Sequence, residues 1–155
     1  MLVYELEVAM KIYVGCGLAE APEEFRLAVE GLRQKIMDKG HKVFGPMGLT
    51  VGTARQAYEW NIKHCVAKCD LFIAICDYLS TELGYELASA VEKHSKRVIA
   101  VTHENSIMTR LILGIDHPNF CFRTYTELEE VAGFIAEMVQ KQSAQREFDW
   151  EVVAV

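Results

Sequence analysis

The chain has 155 residues, 51% of them hydrophobic, a formal net charge of −6 and a sequence pI near 5.4. That length fits one domain, and the apolar fraction is enough to fill a single sizeable core. The acidic balance, with no cluster of lysine or arginine to offset it, argues against nucleic acid or an anionic membrane surface as partner, and no apolar stretch reaches the roughly 18 residues of a membrane span. Small polar substrates and protein partners remain. The cysteines (Cys16, Cys65, Cys69, Cys76, Cys121) are odd in number, sit mostly inside apolar segments and follow no signal peptide, which points to a reducing cytoplasm.

Residues 1–9, MLVYELEVA, stand outside the main pattern as an extra strand or an appended segment, since Met10 looks like a natural start. KIYVGCG then reads as a short strand ending in glycines. The stretch that follows repeats Phe25, Ala28, Val29, Leu32 and Ile36 at helical spacing and closes on Gly40. HKVFGP is a second strand, ARQAYEWNIKHCVAKC a second helix, and DLFIAIC a third strand, apolar throughout as a strand covered on both faces would be. GYELASAVEKHS reads as a helix, KRVIAVT as a strand, SIMTRLILG as a short helix, NFCFRTY as a strand and TELEEVAGFIAEMVQKQ as the closing helix. This alternation predicts an α/β domain over 10–142 with a five-stranded parallel sheet flanked by helices, doubly wound and flavodoxin-like or Rossmann-like. The glycine-rich loop from Gly45 to Thr53 is the longest break and reads as a flap over a site. The tail 143–155 carries Phe148, Trp150 and three valines, more large apolar surface than a solvated tail favours, and is expected to pack on a neighbouring subunit of a homodimer or higher homo-oligomer.

In an open parallel sheet the ligand lies beyond the carboxyl ends of the strands. There STELGYELASA, Ser80 to Ala90, places Glu82 and Glu86 one helical turn apart. Like charges at that spacing repel by roughly 0.2–0.5 kcal/mol. The dipole of the helix start stabilises a carboxylate by about 0.3–1 kcal/mol, which offsets the repulsion. Two readings stand: a pair of solvated first-turn acids, or a carboxylate nucleophile of the kind used in glycosyl transfer. For the second, Gly84 is expected to leave room for a sugar by lacking a Cβ.

The same stretch resembles the active-site segment of the nucleoside 2-deoxyribosyltransferases and the related 2'-deoxynucleoside 5'-phosphate N-hydrolases. In the hydrolase branch an acid opens the strand, a serine follows, and then Gly-Tyr-Glu-Leu; here these are Asp70, Ser80 and Gly84 to Leu87. The transferase branch shows ELGY, which occurs literally at Glu82. The distance to the next strand favours Glu86, with a helix about one residue longer than the family's. KIYVGCG is similar to the transferases' first strand, and MTRLILGI to the hydrolases' segment after the fourth strand. The resemblance covers Met10 to about Lys141. It implies that Glu86 is the nucleophile, that Tyr13 holds its carboxylate, and that Gly15 and Gly17 let the backbone approach a base or sugar. It further implies that Ser80 contacts the 5' end of the sugar and that Thr109 reaches the site of a neighbouring subunit. Apart from the resemblance, Tyr13 is an ordinary strand aromatic and Thr109 a helix-surface threonine.

The chain also departs from the family. Members carry an aspartate eight residues before the acid that opens the third strand, where it orients or protonates the leaving base, and that count lands on Ile62. Loss of a proton donor is worth on the order of 10²–10⁴ in rate. Asn61 and Glu59 are nearby substitutes. The hydrolases' phosphate-binding serine and arginine are replaced by Gly17 and Ala19, and LAEAPEE offers glutamates and no base, which favours nucleosides over nucleotides. Glu82 takes the place of a family glycine and is expected to narrow the pocket or raise the pKa of Glu86.

Other groupings are weaker. His64, Cys65 and Cys69 lack the second Cys/His pair of a structural zinc site and read as core residues, with Tyr58 and Trp60 packing beside them. GCGLAE lacks the third glycine of a dinucleotide fingerprint. The sequence thus predicts a retaining N-glycosidic enzyme acting on 2'-deoxynucleosides or related N-ribosides through a glycosyl-enzyme, with water or a second base as acceptor and neither cofactor nor metal. A nucleoside-binding module without chemistry and a purely structural domain are the rivals.

Overall fold

The computed structural model describes residues 8–138. Residues 1–7 and 139–155 lie outside the described residues, and with them the expected end of the closing helix and the expected packing of the tail. The chain runs β1 (Lys11–Cys16), α1 (Glu23–Asp38), β2 (Lys42–Phe44), α2 (Ala54–Tyr58, continuing as a π-helical segment Glu59–Val66) and β3 (Leu71–Ile75). It goes on through α3 (Thr81–Ala88, continuing as a π-helical segment Ser89–Lys93), β4 (Arg97–His103), α4 (Arg110–Leu113) and β5 (Phe120–Tyr125). A 3₁₀ turn at Leu128–Glu130 leads into helix over 131–138, α5.

All pairings are parallel and the strand order is β2-β1-β3-β4-β5, so the order reverses between β1 and β3. Alternation along the strands sorts the core into two halves. Ile12 and Val14 of β1 with Leu71, Ile73 and Ile75 of β3 pack under Val29, Leu32 and Ile36 of α1 and Val131 and Ile135 of α5. Tyr13, Phe72 and Ala74 face the other way, toward Ile62, Cys65 and Val66 of α2 and Leu83, Leu87 and Val91 of α3. This parity is what turns the Tyr13 phenol toward α3.

Local chemistry fixes the helices. Thr53 and Gln56 form a reciprocal capping box at the start of α2. The Ser80 hydroxyl accepts from the Leu83 amide, so α3 begins at Thr81, one turn before the helix expected from Gly84. At the amino ends of the central strands, Asp70 accepts from the Lys11 amide at 2.8 Å and its own amide donates to the Lys11 carbonyl at 2.7 Å, tying β3 to β1. The loop expected to be a flap is held at its start: Trp60 Nε1 donates to the Gly45 carbonyl at 2.8 Å, and the Met47 amide donates to Asn61 Oδ1 at 2.9 Å.

Candidate active site

Leu83, Glu86, Leu87 and Ala90 form the buried stripe of α3, and a glutamate in that otherwise apolar stripe is carried onto the sheet with it. Glu86 is 4% exposed. Its Oε1 accepts from Asn61 Nδ2 at 3.0 Å, and Asn61, itself 7% exposed, is fixed by the Met47 amide on its own carbonyl oxygen. The second carboxylate oxygen lies over Gly15: a Cβ there would stand 3.2 Å from Oε2 and 3.0 Å from Phe72 Cε2. Gly15 is the residue that lets the carboxylate sit against β1.

Tyr13 is fully buried and stacks on Phe72 with ring centroids 4.9 Å apart. Its hydroxyl is beside Glu86 and lowers that group's pKa, yet among the described residues it makes no hydrogen bond of regular geometry. Burial pushes the Glu86 pKa up to about 7, and Glu82 adds to the rise, while Tyr13 and Asn61 oppose it. Burial, then the Glu86 charge, pushes the Tyr13 phenol up as well. The site therefore holds a carboxyl that changes charge near neutral pH, flanked by one amide donor and one phenol.

A cavity of about 360 Å³ opens onto Glu86 between α2 and α3, lined by Tyr58, Asn61, Ile62, Glu82, Tyr85 and others. That volume suits a small-molecule ligand. Tyr58 and Tyr85, one from each helix, are 40% and 57% exposed with ring centroids 6.4 Å apart. Tyr58 is thus part of the cavity wall rather than packing, while Trp60 does pack, stacked on His64 at 4.4 Å.

The structure brings Tyr13, Gly15 and Glu86 together and separates the rest of the predicted set. Gly84 lies about 200° around the helix from Glu86 and faces the opposite side of α3, where a Cβ would meet nothing within 4 Å, so it makes no room for a sugar at Glu86. Gly84, Ser80 and Thr109 line a different cavity, about 210 Å³, between α3 and α4. The Ser80 oxygen is engaged as the cap of α3, and Thr109 starts α4 without a side-chain cap. Gly17 is required by the protein itself, because a Cβ there would come 2.7 Å from the Tyr78 carbonyl oxygen of the loop after β3.

Two further readings are corrected. The residue facing the carboxylate is Asn61, not Ile62, whose side chain forms an apolar part of the cavity wall. Asn61 stands nine residues before Asp70, one earlier than the count of eight that lands on Ile62, and lies within the π-helical segment. The first loop also has a base beside it: Arg26 of α1 donates to the Leu18 carbonyl at 2.6 Å. With Arg33, which donates to the Val14 carbonyl at 2.8 Å and pairs with Glu30, it lines a cavity of about 490 Å³ at the end of β1. Glu23 and Glu30 line the same cavity, so its two guanidinium groups are matched by two carboxylates.

Asp77, just beyond β3, was invisible in the sequence pattern. Its Oδ1 accepts from the His103 amide at 2.8 Å, Ser106 Oγ at 3.1 Å and Thr102 Oγ1 at 3.4 Å, and its Oδ2 from the Tyr125 hydroxyl at 2.7 Å. Among the described residues, no three or more His, Cys, Asp or Glu side chains gather to hold a metal ion, and no helix is long and apolar enough to cross a membrane. No disulfide links any of the five cysteines. Burial pushes the Cys65 and Cys69 thiols up to about 12 and about 11, as expected of core residues.

The strand order and the site at its point of reversal define a flavodoxin-like α/β protein with a buried carboxyl at the carboxyl end of the sheet. Its fold is that of two solved enzymes. The chain is similar to Clostridium botulinum CMP N-glycosidase, BcmB, with a TM-score of 0.65 and 20% identity over 83% of this chain and 98% of that one. It is likewise similar to the 2-deoxyribosyltransferase of the psychrotolerant bacterium Bacillus psychrosaccharolyticus, with a TM-score of 0.56 and 19% identity over 79% of this chain and 90% of that one. No family model and no curated protein matches the sequence.

Proposed function

We propose that the chain is a retaining N-glycosidic enzyme for nucleosides or nucleotides, with Glu86 as nucleophile. The observation that carries this reading is a carboxyl, 4% exposed, at the floor of a ligand-sized cavity, held from one side by Asn61 and apposed to a buried phenol. A Glu86 oxygen forms a bond to the anomeric carbon as the carbon–nitrogen bond breaks, and the electron pair leaves with the base. Water or a second base then attacks the same carbon and releases Glu86. Asn61 has an amide where the resemblance calls for an acid, so the departing base takes its proton from solvent. Tyr13 and Asn61 favour the ionised carboxylate, and Gly15 lets it approach the strand.

The test is base release from a panel of deoxyribo- and ribonucleosides and their 5'-monophosphates. Glu86→Gln is expected to lower turnover by at least about 10³-fold without unfolding the protein. Unchanged turnover would sink the assignment, as would a trapped sugar adduct found on Glu82 by mass spectrometry.

One observation favours a second reading, a nucleoside-binding module: Asn61 has no proton to give a leaving base. Thermal stabilisation by nucleosides with no base release from any of them would select it. The expected homo-oligomer draws support from Leu79, Ile107 and Leu111, which are 72%, 95% and 81% exposed around the groove that contains Gly84 and Thr109. Sedimentation is expected to give at least a dimer; a monomer at all concentrations would remove Thr109 from any neighbour's site.

A further inference from the structure

Glu82 does not take part in the bond-breaking steps above, yet it lines the same cavity. It sits about one turn before Glu86 on one face of α3, about 6 Å along the helix axis, and both side chains border the space between α2 and α3. Its neighbours there sort by what they are able to distinguish. Ala57 and Ile62 are apolar, and the rings of Tyr58 and Tyr85 offer flat aromatic surface. The Thr81 hydroxyl rotates to donate or accept, and the Tyr58 and Tyr85 hydroxyls are turned toward each other, so none of the three tells a carbonyl from an amino group. Asn61 is committed, its Nδ2 to Glu86 and its Oδ1 to the Met47 amide. That leaves Glu82 as the group of fixed sign: an exposed carboxylate whose oxygens accept hydrogen bonds and repel a carbonyl oxygen.

We propose that Glu82 selects the base, accepting a hydrogen bond from an exocyclic amino group, so that the cavity takes cytosine- or adenine-type bases over their oxo counterparts. This assignment rests on the N-glycosidic reading of Glu86, which places the anomeric carbon at the cavity floor. A pyrimidine ring carries its 4-substituent on the side opposite the glycosidic nitrogen, a span comparable with the single helical turn between the two glutamates. The base then lies against the tilted Tyr58 and Tyr85 pair with its amino edge toward Glu82. Like-charge repulsion with Glu86 is relieved when the amino group's positive edge comes between the two carboxylates.

The experiment compares kcat/KM for deoxycytidine against deoxyuridine, and deoxyadenosine against deoxyinosine, in the wild type and in Glu82→Gln. A ratio within each pair cancels any change in Glu86 ionisation, which is common to both members. The wild type is expected to favour the amino member of at least one pair by tenfold or more, and Glu82→Gln, which has both a donor and an acceptor, to reduce that ratio to near one. Which pair responds tells pyrimidine from purine. A wild-type ratio near one in both pairs, or a ratio unchanged in Glu82→Gln, overturns the proposal and leaves Glu86 untouched. Should the wild type release no base at all, the reading of Glu86 falls instead. Saturation-transfer NMR with free cytosine, uracil, adenine and hypoxanthine then decides the inference alone: preferential binding of an amino base that Glu82→Gln abolishes supports it, and equal or absent binding overturns it.

Discussion

Asp77 and Glu86 are both carboxyls at the carboxyl end of the sheet, and the protein treats them in opposite ways. Asp77 receives donors from Thr102, His103, Ser106 and Tyr125, three elements' worth of groups converging on two oxygens. Glu86 is the more buried, yet it accepts a single side-chain hydrogen bond, from Asn61, with the Tyr13 hydroxyl beside it lacking a well-formed bond of its own. A carboxylate surrounded by donors is a fastener, with nothing left to offer a ligand. One buried with too few donors is held in a costly state, and a substrate that accepts its charge relieves that cost. The contrast separates structural from chemical acids more clearly than burial or sequence spacing does.

The largest effect that tests the contrast is at Glu86. Beyond the loss of turnover, Glu86→Gln is expected to make the protein more stable. The folded pKa of about 7 lies above the ordinary 4.5, so the native state holds the proton more tightly and stability falls as pH rises through that window. The neutral amide escapes this, for a gain of about 3 kcal/mol at pH 8 that vanishes below pH 4.5. Denaturant melts at both pH values check it, and no gain at pH 8 would mean the carboxyl is not buried in its charged form. Next comes Asp77→Ala, expected to destabilise by about 2–4 kcal/mol because it strands the Tyr125 hydroxyl and the His103 amide. A change below 1 kcal/mol in chemical denaturation would erase the distinction drawn above.

Smaller effects probe the two groups that favour Glu86 ionisation. Asn61→Leu and Tyr13→Phe each remove an influence that lowers its pKa. Each is expected to move the acid limb of kcat/KM to higher pH, with about a tenfold loss at pH 7 that is largely recovered by pH 9. Tyr13→Phe should cost less than about 1 kcal/mol in stability, because its hydroxyl has no regular hydrogen bond to lose. A limb that stays in place in both variants would show that Glu86 is not the group titrating.

The sheet was legible because its signals are local: apolar runs alternating with helical periodicity, punctuated by Gly40 and the glycine-rich loop from Gly45 to Thr53. Tyr13 and Glu86 were legible through a resemblance that spans them both. Gly84 was misjudged because residues two apart on a helix point to opposite sides, a fact of helix geometry that adjacency in sequence hides. Glu86 itself had a signal in the apolar stripe Leu83, Leu87, Ala90, where a solvated acid has no place. Asp77 gave none, since its partners come from strands and loops that are distant in sequence. Asn61 was named only as a nearby substitute, because nothing in the sequence marks the π-helical segment that holds it.

That last point reaches past this one position. Both helices that wall the cavity carry π-helical segments, Glu59–Val66 and Ser89–Lys93. An extra residue in a plain α-helix rotates everything after it by about 100° and would swing the cavity-facing side chains away, whereas a wide turn confines the change to itself. Lineages of this fold are therefore able to gain or lose residues within helices and keep both flanks in phase.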